Sequence, residues 1–270
     1  MESTRATLRP PAEGRPLRIK LSGATVGGLI GVAGLLMAWQ ILGATAFTHT
    51  HVIPTPTTIA DHMGQDGWSF YWPNFRTTFT EAFKGWMFGN VLAVGIAMLF
   101  VVAPVLEKPL LQLGVASYCL PSVAILPIFA IAWSGQTPKV VLAAMSVFFT
   151  TLIGMLVGLK SADATSLDLI HAFGGGATKK LTKVRLRASL PSLFAGLRIA
   201  APAAILGAII GEFIGGNTGL GVAMINSEQA LDIPRTWGIA LVATGAAGFA
   251  YAITSVVGRF LTPWAPKGPR

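Results

Sequence analysis

Runs of apolar residues without charge divide this chain. Positions 21–60 contain no Asp, Glu, Lys or Arg, and the apolar part, GATVGGLIGVAGLLMAWQILGATAF, predicts a first helix over 23–47. A helix needs about 20 apolar residues to cross the hydrocarbon core of a bilayer. Further runs at 83–104, 109–133, 138–159, 193–214 and 237–258 predict five more crossings, with both termini on one side. The first run is too long for a signal-peptide core and lacks a convincing cleavage site, so it is expected to be retained. The expectation is an all-α, polytopic membrane protein of about six transmembrane helices. It divides into a tail at 1–22, a first helix at 23–47, an external loop with an interfacial segment at 48–82, a five-helix core at 83–260 carrying a long loop at 160–192, and a tail at 261–270.

Composition narrows the class. Apolar residues make up 53% and charged ones 11% of the 270 residues, and the mean hydropathy is +0.64. A soluble domain carries about 25% charged residues, so a water-facing surface is excluded, and the apolar content excludes disorder. The single cysteine, Cys119, excludes a disulfide scaffold. Positive charge is unevenly placed. Arg5, Arg9, Arg15, Arg18 and Lys20 lie in the first tail, Lys108 in the second connection, Lys160, Lys179, Lys180, Lys183, Arg185 and Arg187 in the long loop, and Arg259, Lys267 and Arg270 at the C-terminal end. The other side holds Arg76, Lys84, Lys139 and Arg235, with Arg198 near the start of the fifth span. This bias places both termini and the 160–192 loop in the cytoplasm. Most of the net charge of +9 is thus a topology signal rather than a sign of nucleic-acid binding.

Several features fall inside or beside the spans. Trp68, Tyr71 and Trp72 suit an aromatic belt in the external loop. His49, His51, Asp61 and His62 lack a recognised ligand spacing, and no metal site is assigned to them. Glycines four apart (Gly27 and Gly31, Gly85 and Gly89, Gly154 and Gly158, Gly207, Gly211 and Gly215) allow close helix approach, and the fifth span is the best place for a seam with a second copy. Pro121 and Pro127 each free a backbone carbonyl, of Ser117 and Val123. That describes either a helix lining an aqueous path or two tolerated kinks. Glu212 is the one carboxylate placed deep in a span, facing either a path or gate, or the solvated outer interface. Arg198 cannot reach it, since fourteen helical residues separate the two by about 21 Å.

The 160–192 loop is long for a connector. Its start, SADATSLDLIHAF, reads as an amphipathic helix capped by Ser161 or Asp163, with Leu167, Ile170 and Phe173 on one face. Gly174–Gly175–Gly176 stops it. ATKKLTKVRLRASL then resumes a helix, with Pro191 before the next span. A helix–turn–helix with an exposed apolar face predicts a docking surface.

On these residues the chain resembles the inner-membrane permeases of ATP-binding-cassette importers, whose cytoplasmic signature reads E-A-A-x(3)-G-x(9)-I-x-L-P. Asp168, Leu169 and Ile170 fall on E-A-A, Gly174 on the glycine, Val184 on the isoleucine and Leu186 on the leucine, while Arg187 replaces the proline. VIPTPTTI, LPSVAILPIFAIAWSGQTPKV, LPSLFAGLRIAAPAAILGAIIGEFIGGNTGLGVAM, LDIPRTWGIALV and RFLTPW extend the likeness to the nitrate/sulfonate/taurine-type branch along nearly the whole chain. The resemblance implies a type I importer permease in a bacterial inner membrane. It implies two ATPase subunits seated on a coupling helix, a second permease copy forming a homodimer, and an external substrate-binding protein. Asp168, Leu169, Ile170, Phe173, Gly174, Val184 and Leu186 become the ATPase-coupling residues, and Pro121, Pro127, Arg198 and Glu212 the candidates for the path or gate. No cofactor is expected in this chain, because there is no phosphate-cradling G-x-x-x-x-G-K-[ST] and ATP-Mg would sit on the partner subunits. The solute is expected to be small, polar and anionic. An intramembrane enzyme would have to work with Glu212, Cys119 and scattered hydroxyls. The other rival is a channel or a proton-coupled carrier; a carrier would call for internal repeats and buried ionisable groups near the midplane, and neither is evident in the sequence.

Overall fold

A computed structural model describes residues 23–45, 52–119 and 121–265. The 1–22 tail, His49 and His51, the side chain of Cys119, and Lys267 and Arg270 lie outside the described residues. The described residues form helices and turns and no strands.

Helix α1 (Gly23–Thr45) is apolar throughout and touches the rest of the chain near its C-terminal end. There Trp39 Nε1 donates to the Pro54 carbonyl at 3.1 Å, and the Trp39 ring lies 5.4 Å from that of Trp237. Helix α2 (Pro56–Val102) begins where Thr55 caps the Thr58 amide and Pro56 takes the first position, as a helix start favours. It already includes most of the segment expected as external loop. The polar residues there belong to a helix that extends past the hydrocarbon, broken only at Gly67 (φ 70°, ψ 172°), a backbone setting suited to glycine. Trp68 and Trp72, one turn apart, are exposed and stacked at 5.3 Å, as an interfacial belt requires. Tyr71 departs from the belt: its ring is buried and its hydroxyl donates to Asp66 Oδ2 at 3.2 Å.

The third expected crossing is realised as two shorter helices, α3 (Glu107–Cys119) and α4 (Ser122–Ala132), after a single 3-10 turn at Pro104–Leu106. Pro121 is extended (ψ 116°) and makes the break, whereas Pro127 sits inside α4 without interrupting it. Helices α5 (Thr137–Lys160), α8 (Leu186–Gly215) and α10 (Ile233–Leu261) match the remaining spans, and α8 runs back without a break through a π turn (Leu181–Arg185) into α7 (Ala177–Lys180). Four helical runs, Pro56–Val102, Thr137–Lys160, Ala177–Ile214 and Ile233–Leu261, are each long and apolar enough to cross a membrane.

Helix α5 is the centre of the bundle, held between α2 and α8 by small residues. A methyl group at Gly89 would lie 2.5 Å from the Ala144 carbonyl oxygen, one at Gly158 2.8 Å from Ser189 Cα, and one at Gly207 2.9 Å from Ala143 Cα. These seams are therefore consumed within the chain. The fifth-span stripe, open to packing within the bundle or to a seam between copies, packs on α5. Gly27 and Gly31 of α1 have nothing within 4 Å and stay open.

Candidate functional site

Two sites carry chemistry, one at each end of the bundle. At the basic end, helix α6 (Ala164–Ala172) starts at Asp163, whose carboxylate accepts from the Ser166 amide at 2.9 Å. That bond holds the Asp163 carboxyl below its usual range. The helix stops at Gly174, which adopts φ +70°, and the Gly174 and Gly175 amides return to the His171 and Ile170 carbonyls at 2.9 and 2.8 Å. The glycine run divides its labour. Gly174 supplies the left-handed backbone and has open space around it, while Gly175 lies under Ile170 and has no room for a side chain.

Beyond the turn, Leu181 is buried against Phe100, Leu156 and Leu159, and Leu186 packs on the same cluster, which fixes the element to α2 and α5. Val184 is half-buried. Leu169 and Phe173 point outward, 58% and 81% exposed, with exposed Asp168 beside them. The element is thus rigid on its inner side and apolar on its outer side. Arg187, in place of the signature proline, lies within an unbroken helix, and Pro191 is carried inside α8.

At the opposite end, Glu212 is 1% exposed and fully engaged, so the solvated-interface reading does not hold. Thr78 Oγ1 donates to Glu212 Oε1 at 2.6 Å, and the Gly221 amide donates to Oε2 at 2.6 Å. The Leu220 amide donates to Thr78 Oγ1 at 2.8 Å and the Gly219 amide to Asn74 Oδ1 at 3.1 Å. Gly219, Leu220 and Gly221 open helix α9 (Leu220–Gln229), which has no side-chain cap of its own. The first amides of any helix need outside acceptors, and a carboxylate is favoured there by the helix dipole. Side chains of α2 and α8 therefore cap α9. Gly219 (φ +136°) passes directly over the Glu212 carboxylate, leaving no space for a Cβ.

Beside this cap lies a second buried charge pair. Lys139 Nζ is 3.3 Å from Glu81 Oε1, with side-chain exposures of 6% and 0%. Lys139, expected among the charges of the outer side, stands at the start of α5 but is buried in this pair; charged residues end a hydropathy run even when they pair across the bundle. Among the described residues two carboxylates, Glu81 and Glu212, are buried at this end of the bundle, where the sequence points to Glu212 alone. Farther out, Arg235 bonds Asp66 (2.5 Å) and Asp232 (3.0 Å), and His62 Nε2 lies 2.9 Å from Asp232. This cluster pins the stretch of α2 before Gly67 to the start of α10. His62 is engaged by Asp232, and no group able to hold a metal is found among the described residues.

The remaining candidates are dispersed. Pro121 and Pro127 are exposed on the broken α3–α4 pair, next to exposed Ile128 and Ile131. Arg198 is exposed on α8, away from Glu212, with no acidic partner among the described residues. Thr78, Glu81 and Lys139 were missed. Their only sequence signal is a polar residue recurring near the end of a predicted span.

Known proteins place this architecture. Residues 85–266 match the family described as binding-protein-dependent transport system inner membrane component. The chain is 27% identical over 215 residues to a probable ABC transporter permease protein of Haemophilus influenzae, covering 79% of this chain and 87% of that one. It is 26% identical over 235 residues to a formylaminopyrimidine transport permease protein of Halalkalibacterium halodurans, covering 86% and 93%. A putative aliphatic sulfonates transport permease protein of Bacillus subtilis is 27% identical over 210 residues, covering 75% and 74%.

Proposed function

We propose a working mechanism from the premise that this chain belongs to the family of binding-protein-dependent transport system inner membrane components. It is a multi-pass membrane permease of an ABC importer. It is not an enzyme: ATP hydrolysis lies in separate subunits, and a substrate-binding protein serves the system. In the proposed assembly two copies of the chain pair and each seats one ATPase. The basic end, with both termini, faces the cytoplasm, and the binding protein meets the α9 end. The charge bias supports this orientation. Support for pairing comes from the exposed apolar side of α4, at Ile128 and Ile131, and from the open Gly27–Gly31 stripe.

The observation that carries the mechanism is the continuity of the helical run Ala177–Ile214. Helix α6 offers Leu169 and Phe173 to the ATPase, with Asp168, Ile170, Gly174, Val184 and Leu186 holding the element in shape. Displacement of this element moves one end of that run. The other end carries Glu212, about 50 Å away along the axis, which caps α9. ATPase closure is thereby delivered as a shift of α9 at the outer gate, beside the broken α3–α4 helix that lines the path. In this scheme Glu212 is a gate residue acting through α9, and Pro121 provides the flexible break.

For the solute, a small polar and anionic molecule of sulfonate, nitrate or taurine type is proposed, with Arg198 as its cation. A relative named for aliphatic sulfonates supports that reading. A second reading, a neutral polar heterocycle, is favoured by the pairing of buried Lys139 with Glu81, which leaves that cation unavailable, and by the relative named for formylaminopyrimidine. Radiolabelled uptake in a deletion strain tests both. Uptake of a sulfonate that is lost in Arg198→Gln supports the first, and uptake of a pyrimidine unaffected by Arg198→Gln replaces it with the second.

A further inference from the structure

The basic end holds more than a docking helix. Lys180, Lys183 and Arg187 recur at spacings of three and four, which puts like charges on one helix face, where they repel one another. Among the described residues no carboxylate pairs with them. No Asp or Glu occurs from residue 177 to residue 211 or after Arg259. Of the described acids at this end, Glu107 is taken by Lys160, Asp163 by the Ser166 amide and hydroxyl, and Asp168 sits out on the docking helix.

Beside this stripe is a cavity of about 390 Å³ lined by Arg187, Ala188 and Trp264. Gly258 lets the end of α10 approach α8, where a methyl group would come within 3.2 Å of the Phe194 ring. The same approach brings exposed Arg259 to this end of the bundle. The surroundings are apolar, with Phe260 80% exposed and Trp264 and Leu261 each 53% exposed. The cavity thus joins a guanidinium without an acidic partner among the described residues to the Trp264 side chain, at the end of two helices long and apolar enough to cross a membrane.

We propose that this cavity binds an acidic phospholipid, with Arg187 on the headgroup phosphate and an acyl chain against Trp264. Guanidinium groups match phosphate oxygens in pairs, and basic pockets between spans at the end rich in Lys and Arg suit anionic headgroups. A free phosphate would be served by the cation alone and leaves the exposed apolar wall without a partner. A bound lipid fills both halves of the cavity and relieves the repulsion along the stripe.

Native mass spectrometry of the full-length chain in mild detergent, with added dioleoylphosphatidylglycerol or dioleoylphosphatidylcholine, tests this. Wild type should retain the acidic lipid in preference to the zwitterionic one. Arg187→Gln should cut retention by about fivefold, the loss of one headgroup cation. Arg187→Lys should recover part of it, and Lys179→Gln should leave it unchanged as a test of general positive charge. Equal retention in Arg187→Gln and wild type, or a loss in Lys179→Gln as large as in Arg187→Gln, overturns the site. Displacement of the lipid by millimolar inorganic phosphate overturns the lipid assignment in favour of a small anion.

Discussion

Replacing Glu212 separates a helix cap from a solvated charge. In Glu212→Ala the Thr78 hydroxyl can turn its proton to the Asn74 carbonyl, 3.2 Å away, and stay satisfied. The Gly221 amide has no second acceptor among the described residues, and an orphaned buried donor costs about 1–3 kcal/mol. The cavity left by a fully buried side chain of this length adds about 2 kcal/mol. The sum is roughly 3–5 kcal/mol, or on the order of 10 °C in melting temperature. Glu212→Gln should behave differently. Its amide oxygen accepts from Gly221, and its amino group donates to the free lone pair of Thr78 Oγ1, so the cost stays within about 1 kcal/mol. Thermal unfolding of both variants in detergent, followed by tryptophan fluorescence, measures the contrast. Equal melting temperatures for Glu212→Ala and wild type, or equal losses for Ala and Gln, would refute the capping role.

Three further outcomes follow from the same geometry. Gly174→Val forces a β-branched residue to φ +70° at a cost of about 1–2 kcal/mol, so membrane insertion should persist while uptake and ATPase co-purification fall; Gly174→Asn, which tolerates that backbone, should retain most of both. Lys139→Met strands buried Glu81 and should destabilise by about 3–5 kcal/mol, whereas Lys139→Met combined with Glu81→Leu should recover most of the loss in the same melting assay. Gly207→Leu drives a side chain into Ala143 and should cost about 1–3 kcal/mol or more, while Gly95→Leu, in open space, should stay within about 0.5 kcal/mol.

The spans and the docking element were legible because both rest on local patterns. Hydropathy located α5 and α10 to within about four residues, since their flanks change composition abruptly, whereas α8 starts at Leu186, ahead of the predicted 193, because its basic first turns continue the helix out of the apolar run. Asp163, the apolar spacing of α6 and the glycine stop specify that helix within fifteen residues of chain. The Glu212 end was hidden for the opposite reason. Lys139 and Glu81 are 58 residues apart, and Thr78 and Glu212 are 134 apart. No window along the chain reveals that such charges neutralise each other or that a carboxylate meets a backbone amide. The start of α2 was missed because its polar residues resemble a loop until their partners, Asp232 and Arg235 near the start of α10, are in place.

The coupling element is tested most directly by site-specific cross-linking at its exposed apex. In a Cys119→Ser background the chain has no other cysteine, so Phe173→Cys places one reactive thiol on the outer face of α6. Treatment of native membranes with a short bifunctional maleimide, followed by mass spectrometry, identifies what that thiol touches. The account predicts a strong adduct with an ATPase subunit from position 173 and none from Asn217→Cys at the opposite end. An ATPase adduct of equal yield from both positions, or one from Asn217→Cys alone, would contradict it.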